Sequence, residues 1–378
     1  MNSFKHCITV AFSVFVCPFF AGSARSDLLP TERISQDEWN RIVRTKECLS
    51  CEIVGLEVFE VDLSEASLAG STIFASTILD SNLSGVDFTN STLQGSDLSG
   101  SNLALANFEN SYLYVATLSE ANLNSVNFQK TIFEGVYFRD ANLSRASFDK
   151  ASLSGVFFRD ADLSDTSFKE ATLLGVSFIG TDLRGVNFDG VSFESVVYSL
   201  ETTFSNSFSV PSQGMYLLAP HSSAIGLELY GADFSGLDLT GINFSHSDIR
   251  GDFSDAILNG AVFEDANLLR TEFEKASINY SFFCSANLTF TNLEESSFIN
   301  SILVLANFSY SDLSDAQLRG ADIRGSDLSK AVIRNTNFQR AVYDINTQFP
   351  EGFDPEAAGA ILSDEIIEEC PPIQSSRN

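Results

Sequence analysis

From Leu63 onward a large apolar residue returns at every fifth position without a miss, through Ile73, Leu83, Phe88 and Phe108 to Phe188, Phe193 and Tyr198, which makes 28 consecutive units. Two positions before each sits a small residue, as at Ala66, Ser81, Ala106, Ala121, Ala141, Ala161 and Ala171. An α-helix cannot use this spacing, because five residues at ~100° each turn the face by roughly 140° per unit and scatter the Leu/Phe set around the cylinder. Extended chain can: residues two apart point to the same side, so the small and the large residue both face inward. The residues left over in each unit, often Ser-Gly, Arg-Gly or Glu-Gly, turn a corner.

A second period sets the size of the coil. Phe88, Phe108, Phe128, Phe148, Phe168 and Phe188 recur every twentieth position, so four sides make one circuit. The next side carries Leu83, Leu103, Leu123, Leu143, Leu163 and Leu183, and another carries Phe138, Phe158, Phe178 and Tyr198. Before the Leu column stand Asn82, Asn102, Asn122, Asn142, Asp162 and Asp182, an outward amide ladder able to bond from coil to coil. A second block starts at Phe234, Leu239, Phe244 and Ile249, slips to a four-residue step at Phe253, and resumes fives to Phe338 and Tyr343. Gly251 falls at the slip, where a tightened corner needs a permissive residue. The 51 units predict about 13 coils, and at ~4.8 Å per layer a rod on the order of 60 Å long.

The units Ala-Asn-Leu-Ser-Arg at 141–145, Ala-Asp-Leu-Ser-Asp at 161–165 and Ala-Asp-Ile-Arg-Gly at 321–325 resemble the pentapeptide repeat family. The resemblance covers about two thirds of the chain and implies an all-β solenoid, a right-handed quadrilateral β-helix cored by Leu and Phe. The segment from Tyr343 to Gly359 also resembles the C-terminal end of many family members. In the gyrase-protecting relatives, loops projecting from the coil matter.

A solenoid must cover its terminal layers or leave core and strand edges exposed. Residues 27–52 form the predicted N-terminal helical cap: Ser35 and Glu38 make a capping box, Ile34 and Trp39 a hydrophobic staple, and Trp39, Ile42 and Val43 an apolar stripe. Repeats fill 53–198 and 229–343. In residues 344–378, Asp354-Pro355 starts a predicted helical stretch that continues over Ala360 to Glu369 and stops at Pro371-Pro372. Between the blocks, 199–228 loses the period and reads as a surface loop or short hairpin, with Met215, Tyr216 and His221 as partner-contact candidates.

Residues 1–26 have the layout of a secretory signal peptide: Lys5, an apolar run from Cys7 to Ala21, then Gly-Ser-Ala-Arg-Ser, with cleavage expected after Ala24 or Ser26. The run is shorter than the roughly 18–20 residues that span a bilayer, so no membrane anchor is expected after cleavage and the mature chain is expected in the periplasm or secreted. It keeps 20 basic and 50 acidic residues, a balance of −30, which disfavours direct binding to nucleic acid or anionic membranes and favours basic partners or cations. It also keeps Cys48, Cys51, Cys284 and Cys370. The Cys48/Cys51 pair reads as a local disulfide, with free thiols, a redox site or half a metal site as alternatives; Cys284 and Cys370 have no evident partner.

Candidate chemistry is sparse. His221 and His246 are the only mature histidines, there is no phosphate-binding glycine loop or metal-ligand cluster, and a solid core leaves no ligand-sized interior. No enzyme activity, cofactor or metal is expected. Residues twenty apart share a column, which places Glu60, Asp80, Glu120, Asp140 and Asp160 in an acidic stripe beside Arg139 and Arg159. The stripe reads as a solvated corner or as a low-affinity cation or basic-partner site. Outward apolar columns pair Tyr112 with Ile132, Tyr137 with Phe157, and Val262 with Phe282 and Ile302; they read either as tolerated exposure or, being contiguous, as contact sites. The leading expectation is a non-catalytic exported scaffold that binds an unidentified protein or a second copy of itself. The alternatives are an acidic nucleic-acid mimic that binds a DNA-binding protein such as gyrase, since about 60 Å of duplex carries on the order of 35 charges, and a cation-binding envelope protein.

Overall fold

The computed structural model describes residues 34–211 and 213–372; the leader and its cleavage site lie outside the described residues. Each unit closes on one local geometry. The residue two after the large apolar one takes the left-handed conformation, as at Glu65 (φ 58°), Ser125 (φ 57°) and Gly85 (φ 67°). Many of these corners carry a side chain, which costs on the order of 1 kcal/mol each. The coil-to-coil hydrogen bonds offset that cost: Glu65 N–H donates to Ser84 O at 2.8 Å, and Ser125 N–H to Ser144 O at 2.9 Å.

The coils stack in parallel with a register of twenty, pairing Ile73 with Leu93 and Leu93 with Leu113. The chain is a parallel β-solenoid of about 16 turns with almost no helix, more than the 13 that the unit count predicts, because irregular units also complete coils. One wall of the first block is an eight-stranded parallel sheet running from Glu52–Val54 to Ser192–Glu194. Inside, the predicted Phe column is a ladder of rings 4.7 Å apart at Phe88/Phe108, 5.0 Å at Phe128/Phe148 and 4.8 Å at Phe148/Phe168. The Phe138/Phe158/Phe178 column meets it edge to face, with Phe148 and Phe158 perpendicular at 5.9 Å. Serines in the small inward slot stay satisfied by donating to the preceding coil, as Ser111 Oγ does to Phe88 O at 2.6 Å. The amide ladder forms: Asn122 Nδ2 donates to Asn102 Oδ1 at 2.9 Å, and Asn102 to Asn82 at 3.4 Å.

The N-terminal cap is helix α1, Gln36–Thr45, whose N-cap Ser35 accepts from Glu38 N–H at 3.2 Å. Trp39 and Ile42 are buried against the first coil, with Ile34 and Val43 packed at their edge. Lys46 turns left-handed to end the helix, and Cys48 and Cys51 are joined by a disulfide at the first coil.

Residues 199–228 are built differently from a loop or hairpin. Thr203–Phe204 pairs in parallel with Asp182–Leu183, and Met215–Leu218 pairs in parallel with Val196–Ser199, so the solenoid runs on through one irregular coil. Phe208 extends the Phe ladder, 5.1 Å from Phe188, and Phe204 lies 5.1 Å from Phe208; together they close the end of the first block. Repeat geometry resumes by Ala224, whose N–H donates to Asn243 O at 2.8 Å. There the sizes are exchanged: Ala224 fills the large slot and Leu227 the small one, and both are fully buried.

The second block does not prolong the rod. Its first coil, with Leu227, Leu229, Ala232 and Phe234, shares a core with Phe157, Ile179, Val197 and Leu218, which face outward along a side wall of the first block. An open solenoid end needs cover, and this wall supplies it. Asp233 fixes the elbow, pairing with Arg159 at 2.6 Å and Arg139 at 3.1 Å, while Arg159 Nη2 donates to Ser235 O at 3.0 Å. The four-residue step is a bulge in which Tyr230 faces Arg250 but Asp233 faces Asp252. Gly251 is required there by close approach: a Cβ would lie 2.5 Å from Ala232 O and 3.0 Å from the Phe234 ring. The Phe columns run straight through the step, with Phe234/Phe253 at 4.5 Å and Phe253/Phe273 at 5.1 Å.

The predicted C-terminal helix is absent. Asp354 does cap a turn, accepting from Ala357 N–H at 3.0 Å, but Gly359 (φ 86°) stops it and Ile361–Leu362 pairs as a strand with Val342–Tyr343. Phe349 and Phe353 cover Phe338, and the remaining tail crosses the outside of the block to join Cys370 to Cys284. Pairing with the last coil serves the backbone in place of a helix, Ile361 and Ser363 N–H donating to Ala341 O and Tyr343 O at 2.7 Å, while the disulfide ties down the tail beyond.

Three outcomes follow. Phe148→Asp should lower stability by several kcal/mol, because it buries an unpaired charge between stacked rings; an unchanged thermal melt refutes the inward assignment. Gly251→Ala should cost roughly 1–3 kcal/mol by overpacking the bulge, readable as a lower denaturant midpoint. Phe157→Glu should loosen the elbow and raise the radius of gyration in small-angle scattering while the β-sheet circular dichroism of both blocks persists.

Candidate protein-interaction surface

The three outward apolar columns have different fates. Tyr137 and Phe157 stack on each other at 5.0 Å and lie under the second block; Phe157 is only 5% exposed. They are elbow residues and not open contacts. Burial pushes the Tyr137 phenol above its ordinary range. Val262, Phe282 and Ile302 pack with Cys284, Val304, Ile367 and Cys370 beneath the C-terminal tail, and Phe282 is 6% exposed. This column too is covered by the chain itself.

The Tyr112/Ile132 column stays open. It lies on the eight-stranded wall, where Tyr112 pairs with Ile132 in register. Ile132 is 46% exposed, and Tyr114 (38%) and Val115 (49%) extend the strip to the corner. Tyr112 and Tyr114 stack at 6.1 Å, and the Tyr112 hydroxyl donates to Glu134 Oε2 at 3.0 Å. Partial burial, reinforced by that carboxylate, pushes the Tyr112 phenol up and keeps it protonated. The strip is therefore aromatic and held in place, with hydroxyl and carboxylate groups at its edge.

A cleft of about 630 Å³ opens at the elbow, lined by Phe193, Glu194, Gln213, Met215, Tyr216 and Glu228 among others. Two residues singled out in the interruption, Met215 and Tyr216, come together here; His221 does not. It is an exposed left-handed corner (φ 62°) whose ring lies over Gly241. Phe208 and Ala224 were missed in the sequence, although Phe208 is twenty past Phe188 and Ala224 is ten before Phe234.

The acidic column consists of left-handed corners, with φ between 49° and 59° at Glu60, Asp80, Glu120, Asp140 and Asp160. It is broken by Gly100 and Gly180, over which Asp80 and Asp160 fold. Asp140 and Asp160 sit 3.4 and 3.5 Å from Arg139 and Arg159, the same arginines that hold Asp233. Among the described residues no group of three His, Cys, Asp or Glu side chains is placed to hold a metal ion. No described helix is long and apolar enough to cross a membrane.

The family model for pentapeptide repeats matches eight copies, over residues 81–119, 121–160, 158–194, 221–251, 252–281, 286–325 and 311–342. No curated protein sequence matches the chain. Among solved structures, HetL, a pentapeptide repeat protein involved in heterocyst differentiation regulation from the cyanobacterium Nostoc sp. strain PCC 7120, is 18% identical, covering 85% of this chain and 99% of that one at a TM-score of 0.25. The pentapeptide repeat protein Rfr23 from the cyanobacterium Cyanothece 51142 is 17% identical, covering 44% of this chain and 97% of that one at a TM-score of 0.24. Full-length QnrB1, a plasmid-mediated fluoroquinolone resistance protein, is 13% identical, covering 84% and 94% at a TM-score of 0.13. With matched repeats over more than half its length, the chain belongs to the pentapeptide repeat family, whose fold is a right-handed quadrilateral β-helix.

Proposed function

We propose that this chain is a non-catalytic, exported scaffold that binds a protein partner through its eight-stranded wall. The observation that carries the reading is the Tyr112–Tyr114–Val115–Ile132 strip. It remains open where the Tyr137/Phe157 and Val262/Phe282/Ile302 columns are covered by the chain itself. Aromatic side chains with a polar tip on a rigid sheet suit protein contact, since they bring large apolar area at low cost in conformational freedom. The acidic balance favours a partner with a basic rim. Export is supported by the signal-peptide layout of residues 1–26 and by four cysteines paired in two disulfides, which persist in oxidising compartments.

Nucleic-acid mimicry is less well supported. A phosphate-like track needs evenly spaced uncompensated charge, whereas this acidic column is interrupted by glycines and paired with Arg139 and Arg159. N-terminal sequencing and fractionation of the protein at native expression level test the proposal. A mature start at Arg25 or Asp27 outside the cytoplasm is expected. An intact Met1 in the cytoplasm would overturn export and make a DNA-binding protein the partner to seek.

A further inference from the structure

We propose that the Cys284–Cys370 disulfide is a site of thiol–disulfide exchange. A dithiol reductant opens it at Cys370, releasing the C-terminal strap from Ser363 onward and uncovering the Val262–Phe282–Ile302 face.

The strap is held to the finished solenoid from outside and contributes nothing to the inward columns. Its attachments are few and specific. Ser363 N–H donates to Tyr343 O at 2.7 Å, Glu365 pairs with Arg324 at 3.0 Å, and Ile367 N–H donates to Asp344 Oδ2 at 3.2 Å. Ile367 and Cys370 then close over Phe282, Cys284 and Val304 as a small separate apolar cluster. Burial would raise the Asp344 carboxyl, but the N–H groups of Gly325, Ile367 and Asn346 and the Thr347 hydroxyl outweigh it and hold the carboxyl below its ordinary range. The seat is thus a formed anionic acceptor with an apolar shelf beside it. Three of Asp344's bonds, from Gly325, Asn346 and Thr347, come from the solenoid itself, so the seat persists when the strap leaves.

The disulfide spans 86 residues and, among the described residues, is the covalent tie that holds the far end of the strap to the coil. Its two sulfurs differ in access, since Cys284 is fully buried and Cys370 is half-buried near the chain end, 3.3 Å from Ser285 Oγ. Exchange therefore begins at Cys370. A thiolate of the reductant attacks Cys370 Sγ, the S–S bond breaks, and Cys284 leaves as a thiolate that takes a proton. The second thiol of the reductant then attacks the mixed disulfide and releases Cys370 as a thiol. The protein gains two electrons and two protons, and the reductant becomes a disulfide. Without the tie, the described part of the strap is left with two backbone N–H bonds, the apolar contact of Ile367 and one ion pair whose Glu365 is 79% exposed, a segment from the low-stability end of the molecule. Cys48–Cys51 is placed differently: it joins α1 to the first coil, and Cys48 is buried in the main core.

Hydrogen exchange by mass spectrometry on the full chain tests this, comparing untreated protein, protein in excess dithiothreitol, and Cys370→Ser without reductant. Reduction and Cys370→Ser should each speed exchange across residues 363–372 by about tenfold or more, with residues 255–345 unchanged. The substitution leaves Cys48–Cys51 intact, so it separates the strap from the N-terminal disulfide. Unchanged strap protection in Cys370→Ser would overturn the proposal, because non-covalent contacts would then suffice. Loss of protection across 255–345 would also overturn it, making the bond a staple of the coils. A non-reducing peptide map with Cys284 and Cys370 unpaired would remove its premise.

Discussion

Every coil of this protein is held by its neighbours. A five-residue side contributes one large inward residue and a left-handed corner, and neither is stable alone. The corner N–H finds its partner nineteen residues on, as Glu65 does at Ser84, and the ring of Phe148 finds its faces at Phe128 and Phe168. Stability is therefore close to a sum of layer-to-layer contacts, and the first and last layers of each run are the places where the sum falls short.

That constraint explains the irregular parts of the molecule. Four solenoid ends have to be covered, and each is covered by a different device. Helix α1 sets Trp39 and Ile42 on the first coil, and Phe204 and Phe208 close the end of the first block. The second block opens against the Phe157–Ile179–Val197 wall and ends under Phe349 and Phe353. Outward aromatics that look like contact surfaces in the repeat pattern are largely spent on this task. Arg139 and Arg159, which in sequence only flank an acidic column, become the two partners of Asp233 at the elbow.

The same accounting narrows function. Once the elbow and the strap have taken their columns, the strip from Tyr112 to Ile132 is an outward apolar column that stays open, on the eight-stranded sheet. In the proposed reading this wall offers aromatic area to a partner, while the strap over Phe282 covers a second apolar face and is tied down by Cys284 and Cys370.

The period of five, the four-sided coil, the stacking of Phe on Phe and the N-terminal cap were legible in the sequence because they are local or strictly periodic. A residue's inward or outward sense depends only on its place in its unit, and its stacking partner is always twenty away. Gly251 was legible as a special position, although its reason, the approach of Ala232 O, was not. What the tertiary structure alone decided lies where the period breaks. Phe208 kept its place in the ladder through an irregular coil, Asp354 capped a turn that Gly359 ended, and Cys370 reached Cys284 across 86 residues. The direction of the second block was likewise invisible, since a pattern that repeats along one axis carries no information about a turn away from it. That turn depends on which outward wall can bury an open coil, a comparison between surfaces that exist only once both blocks have folded.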